Sequence, residues 1–126
     1  MKRREAREKA IQTLFQLDNT KLSVDEAITY ITEEPANLFY DMLVRGTVEN
    51  IEHIDKVLTE NLENWSLDRL PKIERTVLRL AVFELLFNKD VPDRVVLNEA
   101  IELCKTFGDE KSGRFVNGVL SKLASK

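Results

Sequence analysis

Residues 73–87, which read IERTVLRLAVFELLF, decide the fold of this chain. Apolar side chains would cover almost every side of a helix built from this stretch, and a helix of that kind is normally enclosed by other helices. The stretch therefore predicts a central core helix. Within it, Glu84 would project among apolar neighbours, where an unpaired carboxylate is costly. We expect Glu84 to find a cation, a backbone donor or the surface, and to be structural rather than catalytic.

Helical periodicity continues on both sides of this core stretch. Ahead of it, apolar residues recur at helical spacing over residues 3–18 and over residues 38–61. Behind it, the same spacing marks residues 95–107 and a last helix over residues 110–123. No alternating strand pattern of useful length occurs. The sequence predicts an all-α fold of about six to seven helices.

Local signals indicate where several helices begin and where two of them pack closely. Ser23 and Glu26 form a capping box that opens a short helix, and Asp109 can cap the last helix. Pro35 suits the first turn of a helix. Gly46 lies inside the helical pattern that follows, where glycine weakens a helix. We expect close helix packing or a bend at Gly46.

Length and composition limit the class of protein. The chain has 126 residues, the size of one ordinary domain, and we expect residues 1–126 to form a single domain. Hydrophobic residues make up 43% and charged residues 33%, which favours a folded helical protein over disorder. No apolar run approaches the roughly 18 residues of a membrane span. The lone cysteine agrees with a reducing compartment. We therefore expect a cytoplasmic protein without membrane contact.

Side chains that usually perform catalysis are few. The only histidine, His53, has no second histidine or cysteine near it in the sequence that would suggest a metal site. Cys104 falls on the apolar side of its helix and is interpreted as a small core residue. No pair of carboxylates can be singled out as acid and base. We predict a binding protein that is not an enzyme and that holds no metal or cofactor.

The first nine residues form a basic tip on an acidic chain. Five of them are cationic and two are acidic, whereas the whole chain has a net charge of −3. On a helix, Arg3, Arg4 and Arg7 fall on the same side as the apolar stripe, where cations also oppose the helix dipole. This placement favours binding of nucleic acid or phosphate. The alternative is a frayed, solvated terminus with local ion pairs such as Arg4 with Glu8.

The last helix predicts a second cationic surface. Lys111, Arg114 and Lys122 fall within one arc, and Phe115 lies at the border between this arc and the apolar stripe. Cations beside an aromatic ring are typical of surfaces for single-stranded RNA, because the charges pair with phosphates while a base stacks on the ring. The alternative is a solvated helix face beside an ordinary core phenylalanine.

Three stretches of the chain resemble the NusB family of bacterial transcription antitermination factors. They are residues 3–8 (RREARE), residues 73–85, and residues 90–120, which include VLNEAIEL and FVNGVL. The similarity covers essentially the whole chain. It implies a fold of two small helical bundles packed together. It also implies a non-catalytic adaptor that binds the boxA sequence of nascent ribosomal RNA, as a single strand, together with NusE, a small-subunit ribosomal protein. Other Nus factors and RNA polymerase would complete the assembly.

The resemblance also implies which residues bind these partners. Phe15 and Glu74 match positions at the NusE contact. Two departures reduce the similarity: some relatives have tyrosine at Phe15, whose hydroxyl is absent here, and relatives can have arginine at Glu5, so this tip is less basic. The predicted RNA-binding residues, with Lys111 added from the helix pattern, are Lys2, Arg3, Arg4, Arg7, Lys111, Ser112, Arg114, Phe115 and Asn117.

Two other functions stay open at this point. The RNA-binding domain of some ribosomal RNA cytosine methyltransferases also resembles the NusB family, so the chain could be a stand-alone relative of that domain, although it lacks a glycine-rich cofactor-binding segment. It could also be a helical protein-interaction module whose cations only increase solubility. A homodimer is equally open, since apolar residues that pack two bundles look like those that pack two chains.

Overall fold

A computed structural model of the chain describes residues 1–32 and 37–124. Within these ranges there is no strand, none of the helices is long and apolar enough to cross a membrane, and the predicted all-α fold is confirmed. Pro35 lies outside the described residues. The helices are α1 (Arg3–Asn19), α2 (Val24–Ile31), α3 (Leu38–Glu49), α4 (Ile51–Asn61), α5 (Lys72–Phe87), α6 (Asp93–Phe107) and α7 (Glu110–Ala124), with a 3₁₀ turn at Leu67–Arg69.

Helix α5 is the centre of the molecule, as its sequence predicts. It packs against α1, α3, α4, α6 and α7, and its residues from Thr76 to Leu85 are buried except for the half-buried Arg79. Helices α1 to α3 form one small bundle, and α4 to α7 form the other. Because α5 contacts helices of both groups, it joins the two bundles that the resemblance implies.

Two contacts show that α1 runs antiparallel to α5. Arg7, in the second turn of α1, pairs with Glu84 near the end of α5. At the other end of both helices, Nζ of Lys72 donates a hydrogen bond of 3.1 Å to the backbone carbonyl of Phe15. The beginning of α1 and the end of α5 therefore lie at one end of the molecule, and the end of α1 lies beside the beginning of α5.

The structure tests the predicted helix cap, helix break and close packing. The Ser23 and Glu26 capping box is confirmed by two reciprocal hydrogen bonds of 3.1 Å. The helical pattern over residues 38–61 is interrupted at Asn50, which ends α3 and precedes α4, and not at Gly46. Close packing at Gly46 is confirmed, because the ring of Phe83 on α5 lies against the Gly46 backbone.

Candidate nucleic-acid interface

Three cations of the basic tip are exposed to solvent, and one of them, Arg4, forms a salt bridge. Lys2 and Arg3 are exposed, and the Arg3 guanidinium lies 4.8 Å from the centre of the Phe39 ring, within range of a cation–π interaction. The Arg4 side chain is 63% exposed and donates two hydrogen bonds, of 3.1 and 3.3 Å, to Glu99 on α6. Glu99 therefore neutralises part of the charge that Arg4 presents.

Arg7 is buried, which corrects its predicted place on the RNA surface. The residue is 2% exposed, and its Nε and Nη2 atoms donate hydrogen bonds of 2.9 and 2.8 Å to the Glu84 carboxylate. The Phe39 ring lies 5.1 Å away on another side of the guanidinium. Arg7 has no surface left for a phosphate, and the expectation that Glu84 is a paired structural acid is confirmed.

A cleft of about 350 Å³ opens between the beginning of α7 and the segment that leads into α5. We call it the aromatic cleft and define it by Trp65, Arg69, Glu74, Lys111, Ser112 and Phe115. The Trp65 and Phe115 rings meet edge to face, with their centres 6.0 Å apart and an angle of 70° between their planes. The cleft brings together three predicted RNA residues and Glu74, which was predicted to contact a protein partner.

Hydrogen bonds fix the polar floor of the aromatic cleft. The Ser112 hydroxyl donates a bond of 2.8 Å to Oε1 of Glu74, and the Ser112 backbone amide donates one of 2.8 Å to the Asp109 carboxylate. The second bond confirms Asp109 as a helix cap and holds its pKa below the usual value. Ser112 itself is 7% exposed. Because Ser112 lines the cleft, a ligand in the cleft would lie beside this residue.

The predicted residues of α7 point in different directions. Lys111 and Arg114 are exposed, as expected for the cationic arc. Lys111 lines the aromatic cleft, whereas Arg114 and the half-buried Asn117 line a shallower pocket that faces Lys105 of α6. Lys122, in the last turn, is paired with Glu63 at 3.1 Å. The free cations of this helix are thus concentrated near its beginning.

The basic tip contacts the middle of α6, whereas the aromatic cleft lies beyond the end of that helix. Arg4 contacts this helix at Glu99, and Gly108, which ends the helix, lies beside Ser112. Nine residues of helix at 1.5 Å each separate Glu99 from Gly108 by about 14 Å. Between the two sites, α6 carries Glu99 and Glu102 besides Lys105, and Arg114 of α7 adjoins Lys105.

The predicted partner residue Phe15 belongs to a different surface from Glu74. Phe15 is half-buried, and its ring meets that of Phe107 edge to face with 6.2 Å between centres. The Lys72 ammonium lies 5.3 Å from the centre of the Phe15 ring. Phe15, Lys72 and Phe107 therefore form an apolar and cationic patch at the end of α1.

Sequence reasoning missed three residues that shape these surfaces. Trp65 and Arg69 line the aromatic cleft, and Phe39 packs against two arginines of the basic tip. Trp65 is the only tryptophan of the chain, and it lies in a polar connection without periodicity. A large aromatic residue in such a segment can indicate a binding surface, but an analysis of helical periodicity does not detect it.

Groups with catalytic potential do not converge in the described parts of the chain. No cluster of three His, Cys, Asp or Glu side chains there could hold a metal ion. His53 is exposed, and its ring meets the Phe87 ring edge to face with 6.1 Å between centres. Cys104 is fully buried, as its apolar position predicts.

The Cys104 thiol is expected to resist alkylation in the folded protein. Burial raises its pKa from 9.0 to about 12, so the nucleophilic thiolate is scarce at mildly alkaline pH. Because the folded-state pKa is the higher one, stability should fall as the pH rises above 9, where only the unfolded chain ionises. Iodoacetamide labelling followed by mass spectrometry, with and without denaturant, measures the protection. Equal labelling rates in both samples would contradict burial.

Comparisons with known proteins give one family over almost the whole chain. The model of the NusB family matches residues 4–125. The chain is 65% identical to the transcription antitermination protein NusB of Lysinibacillus sphaericus, with 100% of this chain and 99% of that protein covered. It is 58% identical to the NusB protein of an Exiguobacterium strain, with 98% and 97% covered.

Solved structures give the same result for the fold. NusB of T. maritima superposes with a TM-score of 0.92 at 38% identity, covering 100% of this chain and 92% of that one. A complex of the antitermination factors NusB and NusE with double-stranded RNA contains a chain with a TM-score of 0.87 and 35% identity, with 98% and 96% covered. Sequence and structure together show that the chain belongs to the NusB family.

Proposed function

We propose that this protein is a transcription antitermination factor that binds RNA together with NusE and performs no catalysis. Its relatives at 65% and 58% identity are antitermination proteins, and a protein of the same fold forms a complex with NusE and RNA. The observation that carries the proposal is the beginning of α7, where exposed cations adjoin the aromatic cleft. Cations and aromatic rings together suit single-stranded RNA.

The proposed RNA is a boxA-type single strand of a nascent ribosomal RNA. Lys2, Arg3 and Arg4 attract its phosphates at the basic tip, and Lys111 and Arg114 do so at α7. Base recognition is assigned to the surface around Ser112, Phe115 and Asn117. Arg7 acts indirectly, by holding α1 against α5.

NusE is proposed to bind near the end of α1. The patch of Phe15, Lys72 and Phe107 supplies apolar and cationic groups there, and Glu74 in the adjoining cleft is a second candidate contact. Since acidic side chains of α6 lie between the basic tip and the aromatic cleft, the protein alone should bind RNA weakly. A bound NusE that adds RNA-contacting surface would raise the affinity.

The proposed activity also implies the larger complex and the compartment in which the protein works. An antitermination factor works on transcribing RNA polymerase with other Nus factors, which for a bacterial protein means the cytoplasm. The match over the full length of relatives named as antitermination proteins favours this function over that of a methyltransferase RNA-binding domain. Homodimerisation stays a prediction.

The double variant Lys111→Ala/Arg114→Ala should bind boxA RNA more weakly and with less salt dependence. Each phosphate contact on a single strand contributes about −0.7 to the slope of log K against log salt, so the slope should become shallower by about 1.4. Fluorescence anisotropy across salt concentrations, with and without NusE, measures both. Lys56→Ala, which removes an exposed cation of α4 away from both proposed partner surfaces, is the control. Equal slopes for the two variants would refute the RNA surface on α7.

A further inference from the structure

We propose that Glu99 on α6 limits RNA binding by competing with the RNA phosphates for Arg4. The inference rests on the proposed function and deepens it, because it names a residue of this chain that sets how much one arginine of the basic tip contributes. The Glu99 carboxylate and an RNA phosphate are then alternative partners of the same guanidinium.

The contact between Arg4 and Glu99 is the first argument. Nε and Nη2 of Arg4 donate hydrogen bonds of 3.1 and 3.3 Å to the two carboxylate oxygens of Glu99. A guanidinium binds phosphate in the same bidentate way, with two parallel N–H donors. A phosphate that uses these donors has to displace the carboxylate. A phosphate at the other N–H groups would meet a guanidinium whose charge Glu99 already balances.

The two side chains differ in their freedom to move. The Arg4 side chain is 63% exposed, whereas that of Glu99 is 17% exposed. Arg4 lies in the first turn of α1, where its long side chain can turn toward solvent, while Glu99 lies in the middle of α6. An exchange of partners therefore moves Arg4 and leaves the carboxylate in place. Because a largely exposed ion pair contributes little to stability, the exchange is possible without a change of fold.

The charges near Arg4 favour the internal partner. The pKa of Arg4 is raised, chiefly by the hydrogen bond and the charge of Glu99, and the charges of Glu102 and Glu8 raise it further. Each of these carboxylates also repels an RNA phosphate. Among them, Glu99 is the one that accepts hydrogen bonds from Arg4 in the described part of the chain. Glu99 therefore combines general repulsion with direct competition for the donors.

Glu99→Gln should strengthen binding of boxA RNA about threefold, because glutamine keeps the size of the side chain and removes the charge that competes with phosphate. One additional phosphate contact should also make the slope of log K against log salt steeper by about 0.7. Fluorescence anisotropy with boxA and with a scrambled strand of the same length measures both quantities. Since Arg4 would meet a phosphate and not a base, the gain should be equal for the two strands. A gain confined to boxA would contradict the competition.

Two further variants separate competition for Arg4 from general repulsion. Glu102→Gln removes the same charge from the same helix near Arg4 but leaves the hydrogen bonds to Arg4 intact, so its gain should be smaller. In an Arg4→Ala background, Glu99→Gln should have a smaller effect than in the wild type. The difference in this double-mutant cycle isolates the competition. Equal gains in the two backgrounds would leave only general repulsion and would overturn the inference.

Failure of this inference can be distinguished from failure of the proposed function. If the wild type binds RNA and Glu99→Gln binds it equally well or more weakly, the competition is refuted and the proposed function stands. Absence of RNA binding by the wild type, both with and without NusE, would end both proposals. A displaced α1 cannot imitate the expected result, because loss of the basic tip would weaken RNA binding instead of strengthening it.

Discussion

Replacing Arg7 by alanine is expected to lower the free energy of unfolding by about 3–5 kcal/mol. The guanidinium donates two hydrogen bonds to Glu84, and both side chains are only 3% exposed. Without the arginine, the Glu84 carboxylate keeps its place among core side chains with neither a cation nor water to stabilise its charge. Urea denaturation followed by circular dichroism measures the change.

Two variants test whether burial is the cause. Arg4→Ala removes a guanidinium with the same bidentate geometry, but its side chain is largely exposed, so the unfolding midpoint should barely move. Arg7→Met/Glu84→Leu removes both charges and should recover most of the stability, since apolar side chains can replace a buried pair at little cost. A similar loss in Arg4→Ala and Arg7→Ala would contradict the buried pair.

The buried pair also affects how RNA-binding experiments are interpreted. Arg7 anchors the part of α1 that presents Arg3 and Arg4 to solvent. A variant without Arg7 would lose RNA affinity because α1 is displaced, even though Arg7 touches no phosphate. Arg3→Ala is the better probe of the basic tip, because Arg3 is exposed and its ring contact with Phe39 is peripheral.

The core of the fold was predictable because the relevant signals are local. The apolar surface around residues 73–87 requires a central helix, and the cost of a bare carboxylate requires a partner for Glu84. The identity of that partner was harder to predict, because 77 residues separate Arg7 from Glu84. A clue was present, since Arg7 falls on the apolar side of α1. Its grouping with the other cations of the tip gave the wrong assignment.

The candidate site was less predictable because it depends on how helices are arranged. The exposed cations of α7 follow from its periodicity. Their separation from the basic tip depends on the direction and length of α6, which no local pattern records. Trp65 was missed for a related reason: it lies in a non-helical segment, and only the packing of α5 against α7 brings it to Phe115. The break between α3 and α4 at Asn50 was not predicted, because the helical spacing of apolar residues continues across it.

Replacing Gly46 by alanine is expected to destabilise the protein by up to about 2 kcal/mol, although alanine is the better helix former. A Cβ atom on Gly46 would overlap Cζ and Cε1 of Phe83, a buried ring that also stacks on Phe87 with 5.7 Å between centres. Overpacking of a core usually costs about 1–3 kcal/mol, and the close overlap with Phe83 places this site at the upper end, above the roughly 1 kcal/mol gained in helix propensity. Chemical denaturation measures the net effect.

Gly118 provides the matched control, because it also lies within a helix but has no atom near the position of an added Cβ. Gly118→Ala should therefore stabilise the protein by up to about 1 kcal/mol, so the same substitution has opposite signs at the two sites. If contact with Phe83 is the cause, Gly46→Ala should cost less in a Phe83→Leu background, and the coupling in this double-mutant cycle isolates the overlap. A Gly46→Ala variant as stable as Gly118→Ala would show that α3 and α5 are farther apart than the structure has them. The interface between the two bundles would then have to accommodate a methyl group where the structure leaves no space.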